Sequence, residues 1–391
     1  MHTQVGIVGA GPAGLVLARL LHLQGISSVI LESRSRPYVE TRIRAGLLEQ
    51  GSVDLLTETG MGERLKRECL PHDGIELIFA NQRHRINMQE LIGRRVYIYG
   101  QQEVVKDAIA VNLAAGVPIE FEAEVARFEG VETSKPSIHY RQAGEEKTLT
   151  CDYIAACDGF HGVGRNTFSA AGRKDYDRIY PFGWLGILVD APPAHDELLY
   201  CHHDRGFALF TMRSPKVSRL YLQVPPDEDE NAWSDDRIWN EFRLRLGKHE
   251  GLEVREGKIT QKSVIDMRSY VTEPMRHERL FLAGDSAHIV PPTGAKGMNL
   301  AISDVFVLSK AFTAFYKNGR TDLFDGYSEK CLRRVWGAQH FSWWMTSMLH
   351  TMPDASSFDV KRQIAELQTI TGSVAGQTLL SENYAGLPIE M

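Results

Sequence analysis

Near the N-terminus, the spacing of the glycines is that of a phosphate-binding turn. The pattern GxGxxG begins directly after a strand-like segment, residues 4–8, and opens a helix-like segment, residues 12–24. In such a turn the first glycine allows a sharp bend, the second lets the backbone approach a pyrophosphate, and the third allows close helix–strand packing. The helix N-terminus then supplies partial positive charge to the phosphates. The candidate phosphate-binding residues are Gly9, Gly11, Pro12, Ala13 and Gly14.

An acidic residue ends the second strand-like segment, residues 28–32. Glu32 lies close to the distance at which a carboxylate accepts hydrogen bonds from ribose hydroxyls in a βαβ dinucleotide site. The strand, the helix and this carboxylate together predict a dinucleotide site. At this point both FAD and NAD fit it.

Two further carboxylates follow buried strand-like segments. Asp285 comes just after residues 279–283, and Asp158 precedes Gly159 and Arg165. Asp285 could bind the hydroxyls of a flavin's ribityl chain, a contact that NAD cannot offer. Either motif by itself is typical of an ordinary turn. In this order, however, the three motifs resemble those of the FAD-dependent aromatic hydroxylases, which implies one bound FAD and NADPH or NADH as a transient co-substrate.

Segments along the whole chain resemble the members of that family that hydroxylate 4-hydroxybenzoate. The matching segments are residues 42–51, 180–184, 291–299, 341–346 and 382–388. The resemblance implies a flavin monooxygenase that uses NAD(P)H and dioxygen to convert 4-hydroxybenzoate into 3,4-dihydroxybenzoate through a flavin hydroperoxide.

The resemblance also implies a binding site for the substrate carboxylate. Arg213 matches the family's carboxylate-binding arginine, with Thr211 and Tyr221 as its neighbours. A guanidinium fork suits bidentate pairing with a planar carboxylate. An isolated strand arginine would more often be a solvated surface residue, so the functional interpretation depends on the family match.

At the opposite end of the substrate, the chemistry needs an electron-rich ring. A phenol has a pKa of about 10, so ionising it near pH 7 costs about 4 kcal/mol. The resemblance implies that Tyr200 and Tyr384 relay the proton and that His72 passes it to solvent. It also implies that the backbone carbonyl of Pro292 faces the substrate hydroxyl. Each of these residues by itself would more often be structural.

The same resemblance implies further contacts to the cofactors. A loop from residue 293 to 299 should run along the flavin ring, where backbone N–H groups and a helix N-terminus stabilise negative charge. The implied FAD contacts are Arg42, Arg44, Gln102, Arg219, Gly294, Gly297, Met298 and Asn299. The candidate NAD(P)H contacts are Arg34, Tyr38, Arg42 and Arg44.

Three positions depart from the family pattern. Members that prefer NADPH have arginine where this chain has Ser33, so NADPH and NADH both stay open. Thr211 replaces a serine and Met298 a leucine, the second being a volume-conserving change. These changes leave a second interpretation, a hydroxylase of a related acid such as 3,4-dihydroxybenzoate. A third is a flavin-binding protein without catalysis, for which a proton relay would have no use.

The elements that must position these residues indicate an α/β protein. We predict a Rossmann-like FAD-binding domain over 1–174, an antiparallel-sheet substrate domain over 175–266, and a return to the first domain over 267–391 with the flavin loop and C-terminal helices. Helical spacing covers 104–115. Alternating patterns predict antiparallel strands over 121–128, 136–142 and 147–155, and further strands over 206–210 and 219–224.

Composition excludes several other classes of function. A formal net charge of -6 gives no basic face for nucleic acid. We see no apolar run near the roughly 18 residues that span a bilayer and no signal peptide, so we expect a cytoplasmic protein without a membrane partner. Five scattered cysteines predict neither disulfides nor a metal site. The family resemblance implies a homodimer.

Overall fold

The computed structural model describes residues 2–44, 46–168 and 172–389. Its strands are β1 (His2–Val8), β2 (Ser28–Leu31), β3 (Leu47–Glu49), β4 (Leu70–His72), β5 (Gly74–Phe79), β6 (Gln82–Asn87), β7 (Val96–Ile98), β8 (Ile119–Glu120), β9 (Glu124–Glu129), β10 (Ser137–Gln142), β11 (Glu145–Ala156), β12 (Lys174–Asp190), β13 (Leu198–Cys201), β14 (Ala208–Ser214), β15 (Val217–Val224), β16 (Lys258–Glu273), β17 (Arg276–His277), β18 (Leu280–Leu282) and β19 (His288–Ile289). Its helices are α1 (Pro12–Leu23), α2 (Arg36–Thr41), α3 (Gln50–Glu58), α4 (Glu63–Glu68), α5 (Met88–Ile92), α6 (Gln101–Ala114), α7 (Asp235–Leu246), α8 (Gly297–Asn318), α9 (Asp322–Asp325), α10 (Tyr327–Leu349), α11 (Ser357–Thr371) and α12 (Val374–Ala385).

The first sheet contains the predicted βαβ start of the chain. Its order is β17-β18-β11-β1-β2-β8, and β10 and β9 extend it from β11. Strand β1 lies parallel between β11 and β2, while β18 lies parallel to β11. Buried leucines of α1 pack on this sheet together with α6 and α8. The α/β class is therefore confirmed.

Parallel pairing brings the three predicted motifs to one edge of the first sheet. The N–H of Gly9 donates to the carbonyl of Leu31, at 2.8 Å, and that of Cys157 donates to Val8, also at 2.8 Å. The N–H of Ala283 donates to Ala156 at 3.1 Å. The carboxyl ends of β1, β11 and β18 thus meet where ligands bind in open α/β sheets.

The second sheet has the order β19-β16-β12-β15-β14-β13-β5-β6. Its pairs are antiparallel except for β13 with β5, which run parallel. The predicted antiparallel sheet is confirmed, and so are the antiparallel pairs β9–β10 and β10–β11. The domain boundaries stay a prediction; β5 and β6, from the predicted first domain, pair in this second sheet, and β16 runs past residue 266.

Strand alternation gives the second sheet two different buried faces. One face carries Trp184, Tyr200 and Tyr221, which pack with residues of α10 and α12. The neighbouring positions, such as Leu185 and Leu199, point to the other face and pack against α7. Because side chains alternate along a strand, the first face collects the polar residues of the candidate site.

A small third sheet, β3-β7-β4, lies between these parts. Both Glu49 and His72 pair with Val96 of β7, one from each side.

Helix α8 is long and apolar enough to cross a membrane by length and composition only. However, 72% of its most apolar stretch is buried inside the protein, as in the core helix of a globular fold.

Candidate active site

Each glycine of the N-terminal turn is required for a different structural reason. Gly9 has φ of +99°, and a Cβ there would overlap the carbonyl of Cys157. A Cβ at Gly14 would overlap the carbonyl of Gly9. At Gly11 no heavy atom of the described residues, apart from the glycine and its chain neighbours, lies within 4 Å of the Cβ position. Gly11 therefore faces open space beside the start of α1, as an approaching pyrophosphate needs.

The carboxylate of Glu32 lies beside this turn. Its Oε2 accepts from the N–H of Ala10 at 2.8 Å, and its Oε1 accepts from the N–H of Arg34 at 2.8 Å. Glu32 is thus held in place by backbone, with acceptor capacity left for ribose hydroxyls.

Three other predicted FAD contacts, Asp158, Asp285 and Gln102, have acceptor oxygens available; the first two follow β11 and β18 at this sheet edge, and Gln102 lies at the start of α6. Asp158 accepts from the N–H of Gly164 at 2.8 Å, while its Oδ1 is buried without a partner. Burial raises the pKa of Asp158 to about 6. Asp285 is exposed in the turn after β18, and Oε1 of Gln102 is buried without a partner. Acceptor oxygens without partners, close to a glycine turn with open space, fit the hydroxyl groups and the pyrophosphate of FAD.

Arg213 and Arg219 lie on the first face of the second sheet without a carboxylate in ion-pair distance among residues 2–44, 46–168 and 172–389. Arg219 is buried, and its Nη1 has no partner; Nε of Arg213 is also buried without a partner. A Cβ at Gly186 would lie 2.6 Å from Nη2 of Arg219, so this glycine makes room for the guanidinium. The sequence interpretation did not include Gly186, because the need for a glycine there becomes visible only when β12 pairs with β15.

The partners of Arg213 are neutral. Its guanidinium donates to the Tyr221 hydroxyl at 3.4 Å, to Oγ1 of Thr211 at 3.4 Å and to the Met212 carbonyl at 3.1 Å. Although burial raises the pKa of Tyr221, the guanidinium groups of Arg213 and Arg219 lower it, and the net shift is downward. The three predicted carboxylate-binding residues therefore form one cluster with uncompensated positive charge.

The predicted tyrosine pair is also brought together. The hydroxyls of Tyr200 and Tyr384 lie 2.6 Å apart, and Tyr200 also donates to the Thr293 carbonyl at 3.4 Å. Both rings are buried, and burial raises the pKa of each phenol. The pair is therefore neutral near pH 7 and can exchange protons along the short hydrogen bond.

His72 is only 1% exposed, and neither ring nitrogen has a partner among the described residues. Burial lowers the pKa of His72 to about 4, so the ring is neutral near pH 7. No direct hydrogen bond in the described part of the chain joins it to Tyr200 or Tyr384.

The predicted flavin loop begins with a 3-10 turn over Pro292–Gly294. The Pro292 carbonyl accepts from the N–H of Ala295 at 2.9 Å, which leaves its second lone pair. A Cβ at Gly294 would lie 2.7 Å from Oγ of Ser342. Gly297 opens α8, and Met298 packs at the edge of the first core.

A buried ion cluster anchors this loop, and the sequence interpretation missed it. Nζ of Lys296 lies 2.7 Å from Oε1 of Glu49, whose Oε2 lies 3.0 Å from Arg334. Lys296 also donates to the Tyr384 carbonyl at 2.9 Å, and Asn299 accepts from the N–H of Glu49 at 3.0 Å. No local pattern links residues this far apart in the chain.

The candidate NAD(P)H residues form an exposed basic group. The guanidinium groups of Arg34 and Arg42 lie 5.4 and 5.8 Å from the centre of the Tyr38 ring. Arg44 is also exposed, and Ser33 donates to Glu32 at 3.3 Å.

Comparisons of sequence show which proteins this chain is similar to. The chain matches the FAD binding domain family over residues 2–342. It is 48% identical over 392 residues to the p-hydroxybenzoate hydroxylase of Acinetobacter baylyi, covering 100% of this chain and 97% of that protein. It is 28% identical over 353 residues to a kynurenine 3-monooxygenase of Salinispora tropica, covering 80% of this chain and 73% of that protein.

Solved structures share the fold. The p-nitrophenol 4-monooxygenase of Pseudomonas putida DLL-E4 superposes with a TM-score of 0.82 at 17% identity, covering 99% of this chain and 100% of that one. Aklavinone-11 hydroxylase, in its complex with FAD and aklavinone, has a TM-score of 0.74 at 20% identity, covering 89% of this chain and 69% of that one.

The turn glycines give a first prediction. Gly9→Ala should lower the free energy of unfolding by about 1–3 kcal/mol, because the backbone is left-handed and the carbonyl of Cys157 is too close. Gly11→Ala should leave apoprotein stability nearly unchanged and weaken FAD binding, since its Cβ points into open space. Urea unfolding of the apoproteins and FAD titration separate the two effects; equal stability loss in both variants would contradict this assignment.

His72 gives a prediction about pH. Its pKa is about 4 in the fold against 6.5 ordinarily, so between these values the unfolded chain binds a proton that the folded chain does not. The contribution of His72 to stability is therefore lost as the pH falls from 6.5 to 4, on the order of 3 kcal/mol. The variant His72→Asn should lose less stability than the wild type between pH 7 and 4.5 in urea unfolding. Equal losses would mean that His72 is not held neutral.

Proposed function

The chain belongs to the family of FAD-dependent aromatic hydroxylases and is a flavin monooxygenase, and on this premise we propose that it hydroxylates 4-hydroxybenzoate at ring carbon 3. The overall reaction consumes 4-hydroxybenzoate, dioxygen, NAD(P)H and one proton, and it yields 3,4-dihydroxybenzoate, NAD(P)+ and water. The observation that carries this proposal is the pair of unneutralised cations, Arg213 and Arg219, on the same sheet face as the Tyr200–Tyr384 pair.

Arg213 binds the substrate carboxylate in this proposal. Among the described residues the half-buried guanidinium has only neutral partners, so an anionic carboxylate is the ligand that compensates its charge. Tyr221 and Thr211 orient the guanidinium and add hydroxyl groups around the carboxylate.

The hydroxyl end of the substrate meets Tyr200. Tyr200 accepts the phenolic proton while its own proton passes to Tyr384, which the 2.6 Å separation supports. The neutral, unpartnered ring of His72 is the proposed exit group, reached from Tyr384 through water. The second lone pair of the Pro292 carbonyl orients the substrate hydroxyl.

FAD supplies the redox chemistry with NAD(P)H and dioxygen when it is bound. Gly9, Gly11, Pro12, Ala13 and Gly14 take its pyrophosphate in this proposal, and Glu32 takes a ribose. Asp285 takes the ribityl chain. The remaining proposed contacts are Arg42, Arg44, Gln102, Asp158, Arg219, Gly294, Gly297, Met298 and Asn299. Lys296 lies within the flavin loop, and its ion pair with Glu49 anchors the loop.

Arg34, Tyr38, Arg42 and Arg44 are the proposed nicotinamide-cofactor site. Their basic surface suits a phosphate, which supports NADPH, while Ser33 keeps NADH as the alternative. We further propose a cytoplasmic homodimer, on the family resemblance, with no nucleic-acid or membrane partner.

Product analysis tests the proposed reaction. Purified holoenzyme receives NADPH or NADH with each member of a panel of hydroxybenzoates, and products are identified by chromatography. We expect 3,4-dihydroxybenzoate from 4-hydroxybenzoate in near-stoichiometric yield. Efficient turnover of 3,4-dihydroxybenzoate instead would favour the related-acid hydroxylase, and absence of oxygen uptake with every acid would favour the non-catalytic alternative.

Arg213→Ala should raise the dissociation constant of 4-hydroxybenzoate by at least about tenfold, because each charged hydrogen bond contributes about 1.5–3 kcal/mol. Calorimetric titration of the holoenzyme measures this constant. The matched control is Arg178→Ala, which removes an exposed arginine from β12 of the same sheet. Unchanged affinity in Arg213→Ala would remove this residue from the carboxylate site.

Tyr200→Phe should uncouple the reaction. NAD(P)H oxidation continues, but less 3,4-dihydroxybenzoate forms and hydrogen peroxide is released, because the phenol loses its proton acceptor. The ratio of product to NAD(P)H oxidised measures the effect. Tyr180→Phe is the control, since this buried hydroxyl bonds Ser269 instead, at 3.1 Å. Full coupling in Tyr200→Phe would exclude Tyr200 from the relay.

A further inference from the structure

The turn after α10 is bonded to three parts of the second sheet. Trp184 of β12 donates from Nε1 to Nε2 of His350 at 2.7 Å. Gln223 of β15 bonds the backbone of Thr351 twice, at 2.6 and 3.0 Å. Nδ1 of His202, just after β13, lies 3.1 Å from the Leu349 carbonyl. Residues 349–351 are therefore fixed against the sheet that carries the substrate site.

The bonding of His350 determines its tautomer. The indole of Trp184 can only donate, so Nε2 of His350 must be the unprotonated acceptor. Nδ1 then carries the hydrogen and donates to the Thr346 carbonyl at 3.0 Å. A protonated ring would direct a second hydrogen at the indole N–H. His350 is fully buried, and burial lowers its pKa to about 3, so the ring stays neutral.

Thr346 continues the contact towards the tyrosine pair. Its hydroxyl lies 2.9 Å from that of Thr293 in the flavin loop and donates to the Ser342 carbonyl at 2.7 Å. The carbonyl of Thr293 accepts from Tyr200 at 3.4 Å. These hydrogen bonds form a chain from Trp184 through His350, Thr346 and Thr293 to Tyr200, in which the covalent bonds of Thr346 and of Thr293 join each residue's carbonyl to its hydroxyl.

Trp184 packs against the cluster that is proposed to bind the substrate carboxylate. Its ring centre lies 4.9 Å from that of Tyr221, which bonds Arg213. The chain of hydrogen bonds thus links the neighbours of the substrate carboxylate to the phenol that receives the substrate proton.

We propose that His350, as the neutral Nδ1–H tautomer, is a positioning residue for hydroxylation. It keeps the Trp184 ring beside Tyr221 and the Tyr200 hydroxyl beside the Thr293 carbonyl. It touches neither proposed substrate nor flavin and acts through these two contacts. This inference rests on the proposed function.

The experiment compares His350→Phe with His350→Gln. Phenylalanine keeps the stacking on Phe182 and Phe207, whose ring centres lie 4.7 and 4.3 Å away, but removes both hydrogen bonds. Glutamine offers one acceptor and one donor group. We expect His350→Phe to bind FAD and to increase peroxide release per NAD(P)H oxidised by about threefold to tenfold, which is the effect of losing the Trp184 hydrogen bond alone. His350→Gln should restore part of the coupling.

His202→Phe is the matched control. It replaces another buried histidine that bonds the same turn but lies outside the chain of hydrogen bonds, and its coupling should equal that of the wild type. A double-mutant cycle of His350→Phe with Trp184→Phe should be non-additive in peroxide release. Nitrogen-15 NMR of the wild-type ring should report protonated Nδ1 and unprotonated Nε2 at pH 7.

Wild-type coupling in His350→Phe, additive variants, or protonated Nε2 would each overturn the proposal. A failure of the proposed function looks different. In that case the wild type itself forms no 3,4-dihydroxybenzoate, while the tautomer and the coupling measured with the true substrate still test His350.

Discussion

Arg213 and Arg219 carry two positive charges into one buried sheet face, and no carboxylate within the described ranges neutralises them. Removing a charge from water without a partner is costly, so the surrounding residues must compensate in other ways. The Tyr221 hydroxyl, Thr211 and a backbone carbonyl accept from Arg213, and Gly186 leaves space for Arg219. The positive charge of the two arginines is therefore not fully neutralised, and this sheet face favours an anion over any neutral ligand.

The first sheet could be predicted largely from local signals. The glycine turn, the period of α1 and the strand before each acidic motif are short-range patterns, and the structure has β1, α1 and β2 at nearly the predicted bounds. The pairing of β5 with β13 could not be predicted in this way. It joins segments more than a hundred residues apart, and no sequence period distinguishes it from pairing within the first sheet.

The residues of the candidate site also fall into a group that could be predicted from the sequence and a group that could not. Tyr200, Tyr384 and Arg213 could be named because the whole chain resembles one group of hydroxylases, and the 2.6 Å contact between the tyrosines agrees with that expectation. Residues that act by supporting others were missed. Glu49 and Lys296 lie in segments that match the family but received no role, and His350 lies outside those segments. Their significance depends on partners that only the folded chain brings near.

The ion cluster around Glu49 has a consequence for biosynthesis. Its two cations, Lys296 and Arg334, leave the ribosome long after Glu49 itself, since chains are made from the N-terminus. A nascent chain that ends before Lys296 and Arg334 would bury the Glu49 carboxylate without a cation if β3 took its final place, which is strongly unfavourable. Burial of Glu49 in the small third sheet is therefore favourable only once Lys296 and Arg334 have been made, which makes this sheet depend on late-synthesised residues.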